Sequence, residues 1–175
     1  FNINTLEWDD DLLKLFDIPK ALLPEVVYSD SCFGSLSELG NITIHAVLGD
    51  QQAALFGQGC LEKGQLKSTY GTGCFIMSNV GDKPIHSDDG LLTTIGFSLN
   101  GKVYYAIEGS IYASGTTVQW LRDNLQFFDK SDQSETYLNE NGNANNVLFI
   151  PAFTGLGAPY WKSEIRASFH GITRD

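Results

Sequence analysis

The sequence predicts a mixed α/β or α+β fold, and three stretches carry the prediction. A mostly β-branched, alternating run over 42–48 leads directly into an Ala-rich helical stretch that begins at Gln51. Strand-like segments then follow one another over 65–107, with a Gly-Thr-Gly turn and an Asn-Gly turn between them. Residues 112–125 have helical spacing and precede a last strand-like run. Helices that alternate with strands in this way indicate a layered fold of helices packed on a sheet.

The first sixty residues contain signals for two short helical segments, one strand and a longer helix. Three consecutive Asp residues favour a helix N-terminus, because carboxylates interact well with the positive end of the helix dipole. Pro19 and Pro24 bound the next helical turn, because proline restricts the backbone. The longer helix is expected to end at a glycine, which is a common residue after a helix end. In chain order, the predicted elements are a helix over 9–16, a helical turn between Pro19 and Pro24, a loop over 29–41, a strand over 42–48 and a helix from Gln51 to Gly57 or Gly59.

The remainder of the chain is predicted to be rich in strands. Asn100-Gly101 lies between two alternating runs and is a strong sequence signal for a two-residue hairpin turn. Residues 129–146 are polar and end in an Asn/Gly-rich stretch, which indicates a segment that is at most partly helical. The predicted elements are strands over 65–70, 74–79, 91–99 and 102–107, a helix over 112–125 and a strand over 147–152.

The tetrapeptide Gly49-Asp50-Gln51-Gln52 stands where the predicted strand passes into the predicted helix. A carboxylate at this point lies at the rim of an α/β sheet, where such folds bind small ligands. The two amides that follow can donate and accept hydrogen bonds, as recognition of neighbouring hydroxyl groups requires. Asp50 is therefore a candidate general base for a polyhydroxy substrate. The alternative is that Asp50 only caps the helix and has no chemical role.

The turn Gly71-Thr72-Gly73 is a candidate phosphate-binding loop between two predicted strands. Glycine lets the backbone approach an anion and exposes successive N–H groups, and the Thr72 hydroxyl adds a donor. It is not a Walker loop, because no Gly-Lys-Ser/Thr follows it. A Gly-Thr-Gly hairpin tip also has a purely structural explanation, so the turn alone leaves both readings open.

Composition argues against several classes of function. The net charge is −10, with 21 acidic against 11 basic residues, so the chain has no overall basic character suited to nucleic acid or an anionic membrane. It contains no uninterrupted apolar stretch of about 18 residues, so no membrane span is predicted. Cys32, Cys60 and Cys74 are odd in number and widely spaced, which indicates reduced thiols rather than disulfides or a zinc site. We predict no metal ligands in this chain.

These motifs belong to a longer series that runs in order along nearly the whole chain. The series includes GDQQAALFGQ at 49–58 and TYGTGCF at 69–75. Its other members are Leu6–Trp8, Leu22–Val26, Gly90–Ile95, Tyr105–Ile111, Val118–Asp123 and Pro151–Trp161. In content and order the series resembles glycerol kinases of the FGGY carbohydrate kinase family.

The resemblance implies an α/β architecture of two actin-like ATPase domains, each ribonuclease H-like, with the active site between them. Such kinases are considerably longer than this chain. The chain therefore resembles a fragment that spans the end of the first domain and the start of the second, and it lacks an initiating Met. We expect residues 1–60 to belong to the first domain and residues 61–175 to the second, with the polar connector 61–64 at the boundary.

The family resemblance implies ATP-dependent phosphorylation of glycerol to glycerol 3-phosphate, with ATP and Mg²⁺ as cofactors. In phosphoryl transfer, positioning and charge neutralisation supply most of the catalysis. Asp50 matches the catalytic base of glycerol kinases, and Gln51 matches a residue that hydrogen-bonds a glycerol hydroxyl. Phe75 is expected to pack against the carbon chain of glycerol; the alternative is an ordinary core aromatic in a strand.

The same resemblance assigns four residues to the nucleotide. Thr72 matches the phosphate-contacting threonine of the second domain, and Gly73 is its neighbour in the turn. Gly115 and Gln119 match positions at the nucleotide, where a small residue lets the backbone approach and an amide supplies a polar contact.

The sequence leaves two alternatives to a glycerol kinase open. One is an FGGY kinase for another polyol or a sugar such as a pentulose, and the other is a non-catalytic, actin-like nucleotide-binding module. Asp50 beside Gln51 argues against the second. We expect the full-length protein to be a cytoplasmic homo-oligomer that binds glycerol and ATP, without nucleic acid or a membrane span. The fragment alone is expected to be inactive, because only one wall of the cleft is encoded here.

Overall fold

A computed structural model describes residues 1–141 and 146–174. Its helices and strands follow the predicted order, with a short strand and a 3₁₀ turn added within the predicted loop 29–41 and a strand added over Ser168–His170. The α-helices are α1 (Asp10–Leu15), α2 (Asp50–Gly57), α3 (Gly115–Asp123) and α4 (Gln133–Asn141), and short 3₁₀ turns occupy Lys20–Leu22 and Ser37–Leu39. The strands are β1 (Ser35–Leu36), β2 (Ile42–Thr43), β3 (Leu66–Tyr70), β4 (Cys74–Gly81), β5 (Leu92–Leu99), β6 (Lys102–Ile111), β7 (Leu148–Ile150) and β8 (Ser168–His170).

The largest sheet has four strands in the order β3-β4-β6-β5, while β1 pairs with β2 and β7 pairs with β8. Strands β5 and β6 form an antiparallel hairpin in which Leu92 lies opposite Glu108. At its tip, Asn100 and Gly101 both have positive φ angles, 52° and 74°. Positive φ at both central residues is the signature of a type I′ turn, so the predicted hairpin is confirmed. Within the described residues, no helix is both long and apolar enough to cross a membrane.

The chain divides into two compact units. The first comprises Phe1–Lys67, Met77–Ser87 and Leu92–Glu108, and the second comprises Ser68–Ile76, Asp88–Leu91 and Gly109–Asp175. Each unit is a group of residues with dense internal contacts, and the first unit continues past residue 64. The boundary at 61–64 between the two family domains therefore stays a prediction.

The core of the first unit fixes helix α2 against strand β5. Leu55 of α2 is completely buried, and its Cδ2 atom would lie 3.2 Å from a Cβ atom on Gly96. Gly96 occupies a register shift between Ile95 and Phe97, where a residue without a side chain lets the helix approach closely. The buried members of this core are Leu55, Cys60, Met77, Phe97 and Ala106.

A buried amide ties the segment after α2 to strand β4. Asn79 is 1% exposed, and its Nδ2 donates to the carbonyl oxygen of Cys60 at 3.0 Å. Its Oδ1 accepts from the N–H of Gly81 at 2.8 Å. The backbone of Asn79 also pairs with Gly64 and Gln65, at 2.8 and 2.9 Å. Because buried polar groups are costly unless paired, these bonds hold the connector in one conformation as it enters β3.

The second unit contains an aromatic cluster beneath helix α3. Trp120 stacks on Phe149 with ring centroids 5.6 Å apart and contacts Phe153 at 5.1 Å. Phe149 in turn stacks on Phe169 of β8 at 4.1 Å. The cluster joins α3 to the β7–β8 pair through side chains, so these rings have a packing role.

The strand predicted over 42–48 is shorter in the structure, where β2 covers only Ile42–Thr43. Its partner β1 comes from the stretch predicted to be a loop, and β1 is itself only two residues long. Beyond β2, the N–H of Ile44 donates to the carbonyl oxygen of Gly34 at 2.8 Å, and the carbonyl oxygen of Ile44 accepts from the N–H of Phe33 at 2.9 Å. Further on, the N–H of Val47 donates to the carbonyl oxygen of Ser29 at 3.0 Å. A strand needs a continuous ladder of bonds to a partner, and the described partner ends early.

The helix predicted over 112–125 begins later, at Gly115, because strand β6 continues to Ile111. The N–H groups of Ser114 and Gly115 then donate to carbonyl oxygens of the turn at 71–73. The polar segment 129–146 contains helix α4 over Gln133–Asn141, so it is partly helical, as predicted. Its Asn/Gly-rich end at 142–145 lies outside the described residues. Strand β8 was not predicted.

Candidate functional site

Asp50 is the first residue of helix α2, and its side chain is exposed. The helix N-cap is Gly49, which makes no side-chain capping bond, so the interpretation of Asp50 as the N-cap is wrong. Oδ1 of Asp50 accepts instead from the adjacent N–H of Gln51 at 2.8 Å. A Cβ on Gly49 would lie 2.7 Å from Oε1 of Gln52, so a larger residue at the cap would displace the end of that side chain. The geometry presents a carboxylate to solvent at the start of an anchored helix.

The two amides after Asp50 have different surroundings. Nε2 of Gln51 donates to Oδ2 of Asp50 at 3.3 Å. Gln52 points towards β5, where its Nε2 lies 3.5 Å from the carbonyl oxygen of Ile95, at the long limit for a hydrogen bond. Gln51 therefore contacts both oxygens of the Asp50 carboxylate, one through its backbone and one through its side chain.

Lys67 of strand β3 is part of this arrangement, although no sequence motif points to it. The residue is 4% exposed, and its Nζ donates to Oε1 of Gln51. The result is a chain of hydrogen bonds from a buried ammonium through an amide to the exposed carboxylate. Its sequence signal is weak, because Leu66 and Tyr70 would be expected to face inward in an alternating strand. The structure has the reverse, with Leu66 60% and Tyr70 78% exposed.

In the second unit, the turn Gly71-Thr72-Gly73 is bonded to the start of helix α3. The N–H of Gly115 donates to the carbonyl oxygen of Gly71 at 2.9 Å. The carbonyl oxygen of Thr72 accepts from the N–H of Ser114 at 2.9 Å and from the N–H and hydroxyl of Thr116 at 3.2 and 2.9 Å. These bonds satisfy N–H groups that a helix N-terminus otherwise leaves without partners. The first N–H groups of α3 are thus used within the protein.

Both glycines of interest lie where backbone segments pack closely. A Cβ on Gly73 would lie 2.5 Å from the carbonyl oxygen of Ile111, and one on Gly115 would lie 2.6 Å from that of Gly71. The N–H of Gly71 donates to the carbonyl oxygen of Gly73 at 2.8 Å, so it too is used within the turn. Thr72 itself is exposed. The turn therefore has a firm structural role, and its exposed threonine is the residue best placed to meet a ligand.

Two further predicted site residues, Gln119 and Phe75, lie on helix α3 and strand β4. Gln119 is exposed on α3, four residues after Gly115 and thus on the same side of the helix. Phe75 is half-buried as the second residue of β4. Among residues 1–141 and 146–174, no group of three or more His, Cys, Asp or Glu side chains is arranged to hold a metal ion.

Comparison with protein families matches two models, one on each side of the predicted boundary. Residues 1–57 match the N-terminal domain of the FGGY family of carbohydrate kinases, and residues 66–175 match its C-terminal domain. The unmatched interval 58–65 contains the polar connector.

Curated relatives match over almost the whole chain. A glycerol kinase of Listeria monocytogenes is 50% identical over 99% of this chain and 36% of its own length. A glycerol kinase of Xanthomonas campestris has the same identity and coverage. The chain thus spans about a third of the length of the curated relatives it matches.

Solved structures share the same fold. The crystal structure of Plasmodium falciparum glycerol kinase with ADP matches all of this chain and 36% of its own, with a TM-score of 0.89 and 40% identity. A ligand-bound xylulose kinase from Lactobacillus acidophilus matches 99% of this chain and 36% of its own, with a TM-score of 0.80 and 24% identity. At that lower identity the similarity shows the fold alone. The actin-like ATPase fold predicted from the sequence is confirmed.

Proposed function

Because the chain belongs to the FGGY family of carbohydrate kinases, we propose that the whole protein transfers the γ-phosphoryl group of ATP to glycerol. One geometric observation carries the proposal: Asp50 presents an exposed carboxylate whose two oxygens are held by Gln51 at 2.8 and 3.3 Å. The identity of 50% to glycerol kinases across 99% of the chain supports glycerol as the acceptor.

In the proposed mechanism, Asp50 is the general base. A terminal hydroxyl of glycerol gives its proton to the carboxylate as its oxygen attacks the γ-phosphorus, and the bond from that phosphorus to the β-γ bridging oxygen breaks. The products are glycerol 3-phosphate and ADP, and the base later returns its proton to solvent. A general base must lie within hydrogen-bond reach of the proton it removes, so the orientation of the Asp50 carboxylate affects the rate of proton transfer.

Gln51 and Phe75 are proposed to bind glycerol. The Gln51 amide has two N–H groups, of which one donates to Asp50, so the other has the chemistry to bond a substrate hydroxyl. Phe75 is proposed to pack against the carbon chain, where an apolar ring face suits the CH groups of a polyol. Substitution of Phe75 by Leu would distinguish this role from simple packing, because only the first predicts a raised KM for glycerol.

Thr72, Gly73, Gly115 and Gln119 are proposed to form the nucleotide side. The exposed hydroxyl of Thr72 supplies a hydrogen-bond donor for a phosphate oxygen. Gly73 and Gly115 keep the turn and the start of α3 in register, as their close contacts with the carbonyl groups of Ile111 and Gly71 indicate. Gln119 would add a polar contact from the exposed face of α3.

ATP is the proposed phosphoryl donor, which agrees with the ADP in the Plasmodium falciparum structure. Mg²⁺ belongs to the proposal as the ion that accompanies the phosphates of ATP, since it is usually bound by substrate phosphates and few carboxylates. The described side chains do not provide a metal-binding cluster, so no step is assigned to the ion through this chain.

The proposal extends to the organisation and location of the whole protein. We place the domain boundary within 61–64, between the two matched family ranges. A cytoplasmic location suits an ATP-dependent enzyme, and the free thiols of Cys32, Cys60 and Cys74 are compatible with a reducing compartment. We also propose that the full-length protein is a homo-oligomer.

Acceptor competition tests the proposed function. The purified whole protein would be assayed with MgATP and glycerol, xylulose, ribulose or gluconate, and kcat/KM compared. We expect glycerol to be preferred, because the sugar kinases among the solved structures share the fold at 24% identity or less. A clear preference for any of the sugars would contradict the proposal. Nucleotide binding without turnover of any acceptor would support a non-catalytic module.

A further inference from the structure

We propose that Lys67 is a positioning residue for the catalytic base, acting through the Gln51 amide. The inference rests on the proposed function, because it concerns how Asp50 is held for reaction. It is carried by the hydrogen-bond chain in the first unit from Lys67 Nζ to Gln51 Oε1 and from Gln51 Nε2 to Asp50 Oδ2.

Lys67 is almost completely buried. Lysine is seldom buried, because its ammonium group loses favourable contacts with water. At 4% exposure, Lys67 therefore needs acceptors within the protein, and the side-chain oxygen of Gln51 is one of them. By contrast, Lys63 in the preceding connector is exposed. Burial of a cation in this strand costs desolvation free energy, and an apolar side chain would fill the same space without that cost.

The bond from Lys67 fixes the orientation of the Gln51 amide. An ammonium group can only donate hydrogen bonds, so the amide oxygen must face Lys67 and the amide nitrogen must face away from it. With the oxygen fixed in this way, Nε2 is directed at Asp50 and donates at 3.3 Å. If the amide turned over, its oxygen would face the carboxylate, and two acceptors would repel each other. Lys67 thus selects the amide orientation that Asp50 requires.

The Asp50 carboxylate is in turn held through both of its oxygens. Oδ1 of Asp50 is held by the backbone N–H of Gln51 and Oδ2 by its side chain. Two donors on two oxygens fix the plane of the carboxylate, whereas one donor would let it rotate. Rate in phosphoryl transfer depends strongly on such positioning, and a displacement of about 1 Å can cost about 10²-fold. Loss of Lys67 should therefore lower kcat more than it affects nucleotide binding.

A double-mutant cycle in the whole protein tests the inference. Lys67→Met keeps the length of the side chain and removes its donors, and Gln51→Leu removes the amide through which Lys67 is proposed to act. We expect Lys67→Met to lower kcat for glycerol by about 10- to 100-fold, with an unchanged KM for ATP. In the Gln51→Leu background, the same substitution should change kcat less than about twofold, because residues in one network are not additive. Lys63→Met is the matched control and should leave kcat unchanged.

Rescue and stability measurements complete the test. Lys67→Arg retains a buried cation with donors and should keep more activity than Lys67→Met at similar thermal stability. If Lys67→Met does not fold, Lys67→Arg and Lys67→Gln are put through the same cycle. Equal losses of kcat from substitution at Lys67 with and without Gln51, or no loss at all, would overturn the inference. If the wild-type protein prefers another acceptor, the proposed function fails, and the cycle is measured with that acceptor to judge Lys67 separately.

Discussion

The N–H of Gly115 donates to the carbonyl oxygen of Gly71 at 2.9 Å, and a Cβ atom on Gly115 would lie only 2.6 Å from that oxygen. The contact brings the first residue of α3 onto the turn that carries Thr72. Real Cβ atoms do not approach a carbonyl oxygen so closely, so the position accepts glycine alone without a backbone shift. The same contact that satisfies the helix end therefore sets the position of the proposed phosphate-binding threonine.

Substitution of Gly115 by Ala should separate the turn from α3. Because the clash involves backbone on both sides, we expect a loss of stability of about 1–3 kcal/mol and a raised KM for ATP. Thermal unfolding and ATP-dependent kinetics of the whole protein measure the two effects. Gly57→Ala is the control, since a Cβ at this helical position meets nothing within 4 Å. An unchanged KM for ATP in folded Gly115→Ala would show that the turn does not serve the nucleotide.

The sequence predicts elements well where the signal is local. The β5–β6 hairpin follows from Asn100-Gly101, which supplies two residues that adopt positive φ. Helix α2 follows from its Ala-rich run and a glycine near its end. The strand over 42–48 was overestimated, because periodicity cannot show whether a partner strand continues beside it. Strand β8 depends on pairing with β7, a contact between residues far apart in the chain.

The candidate site could be predicted only in part for a similar reason. Asp50, Gln51 and Thr72 stand in recognisable motifs, so the sequence alone identifies them as candidates. Lys67 was missed because a lysine between Leu66 and Ser68 is expected to face solvent, and only tertiary packing turns it inward. The sequence does not predict the close contact between Gly115 and Gly71, because this contact depends on how helix α3 packs against the turn.

Asp9 should give the stability of helix α1 a defined dependence on pH. Its side chain accepts from the N–H groups of Leu12 and Asp11 at 3.0 and 3.1 Å. The bond from Leu12 is the main cause that lowers the pKa of this carboxyl below its ordinary value of 3.8, and bonds from Asn2 and Asp11 add to it. A lowered folded-state pKa means that the stabilisation is complete above pH 3.8 and is lost as the pH falls through the folded-state value.

Asp9→Ala should therefore lower the stability of the N-terminal helix at neutral pH but not at strongly acidic pH. Hydrogen exchange of the α1 amides, measured at both extremes, would report the difference locally. Asp9→Asn is the control, because an amide oxygen caps a helix almost as well and does not titrate in this range. A destabilisation by Asp9→Ala that is the same at both pH values would contradict the capping account.

Residues 1–175 by themselves should not phosphorylate glycerol. The chain spans 36% of the length of its curated glycerol kinase relatives, and phosphoryl transfer needs acceptor, phosphates and metal held together in one water-poor site. We expect only weak nucleotide binding, with a Kd of about millimolar, measurable by calorimetry. Production of glycerol 3-phosphate by this segment at a rate typical of enzymes would show that the active site lies within it.

The most direct test of the central claim is kcat of the Asp50→Asn variant in the whole protein. Asn keeps the size and polarity of the side chain but cannot accept the proton, and Gly49 remains the helix N-cap. We predict a fall in kcat for glycerol phosphorylation of about 10²- to 10⁴-fold, with a much smaller change in nucleotide affinity. Asp11→Asn, also in the first turn of a helix, is the control and should keep full activity. A kcat for Asp50→Asn within about twofold of wild type would contradict the assignment of Asp50 as the base.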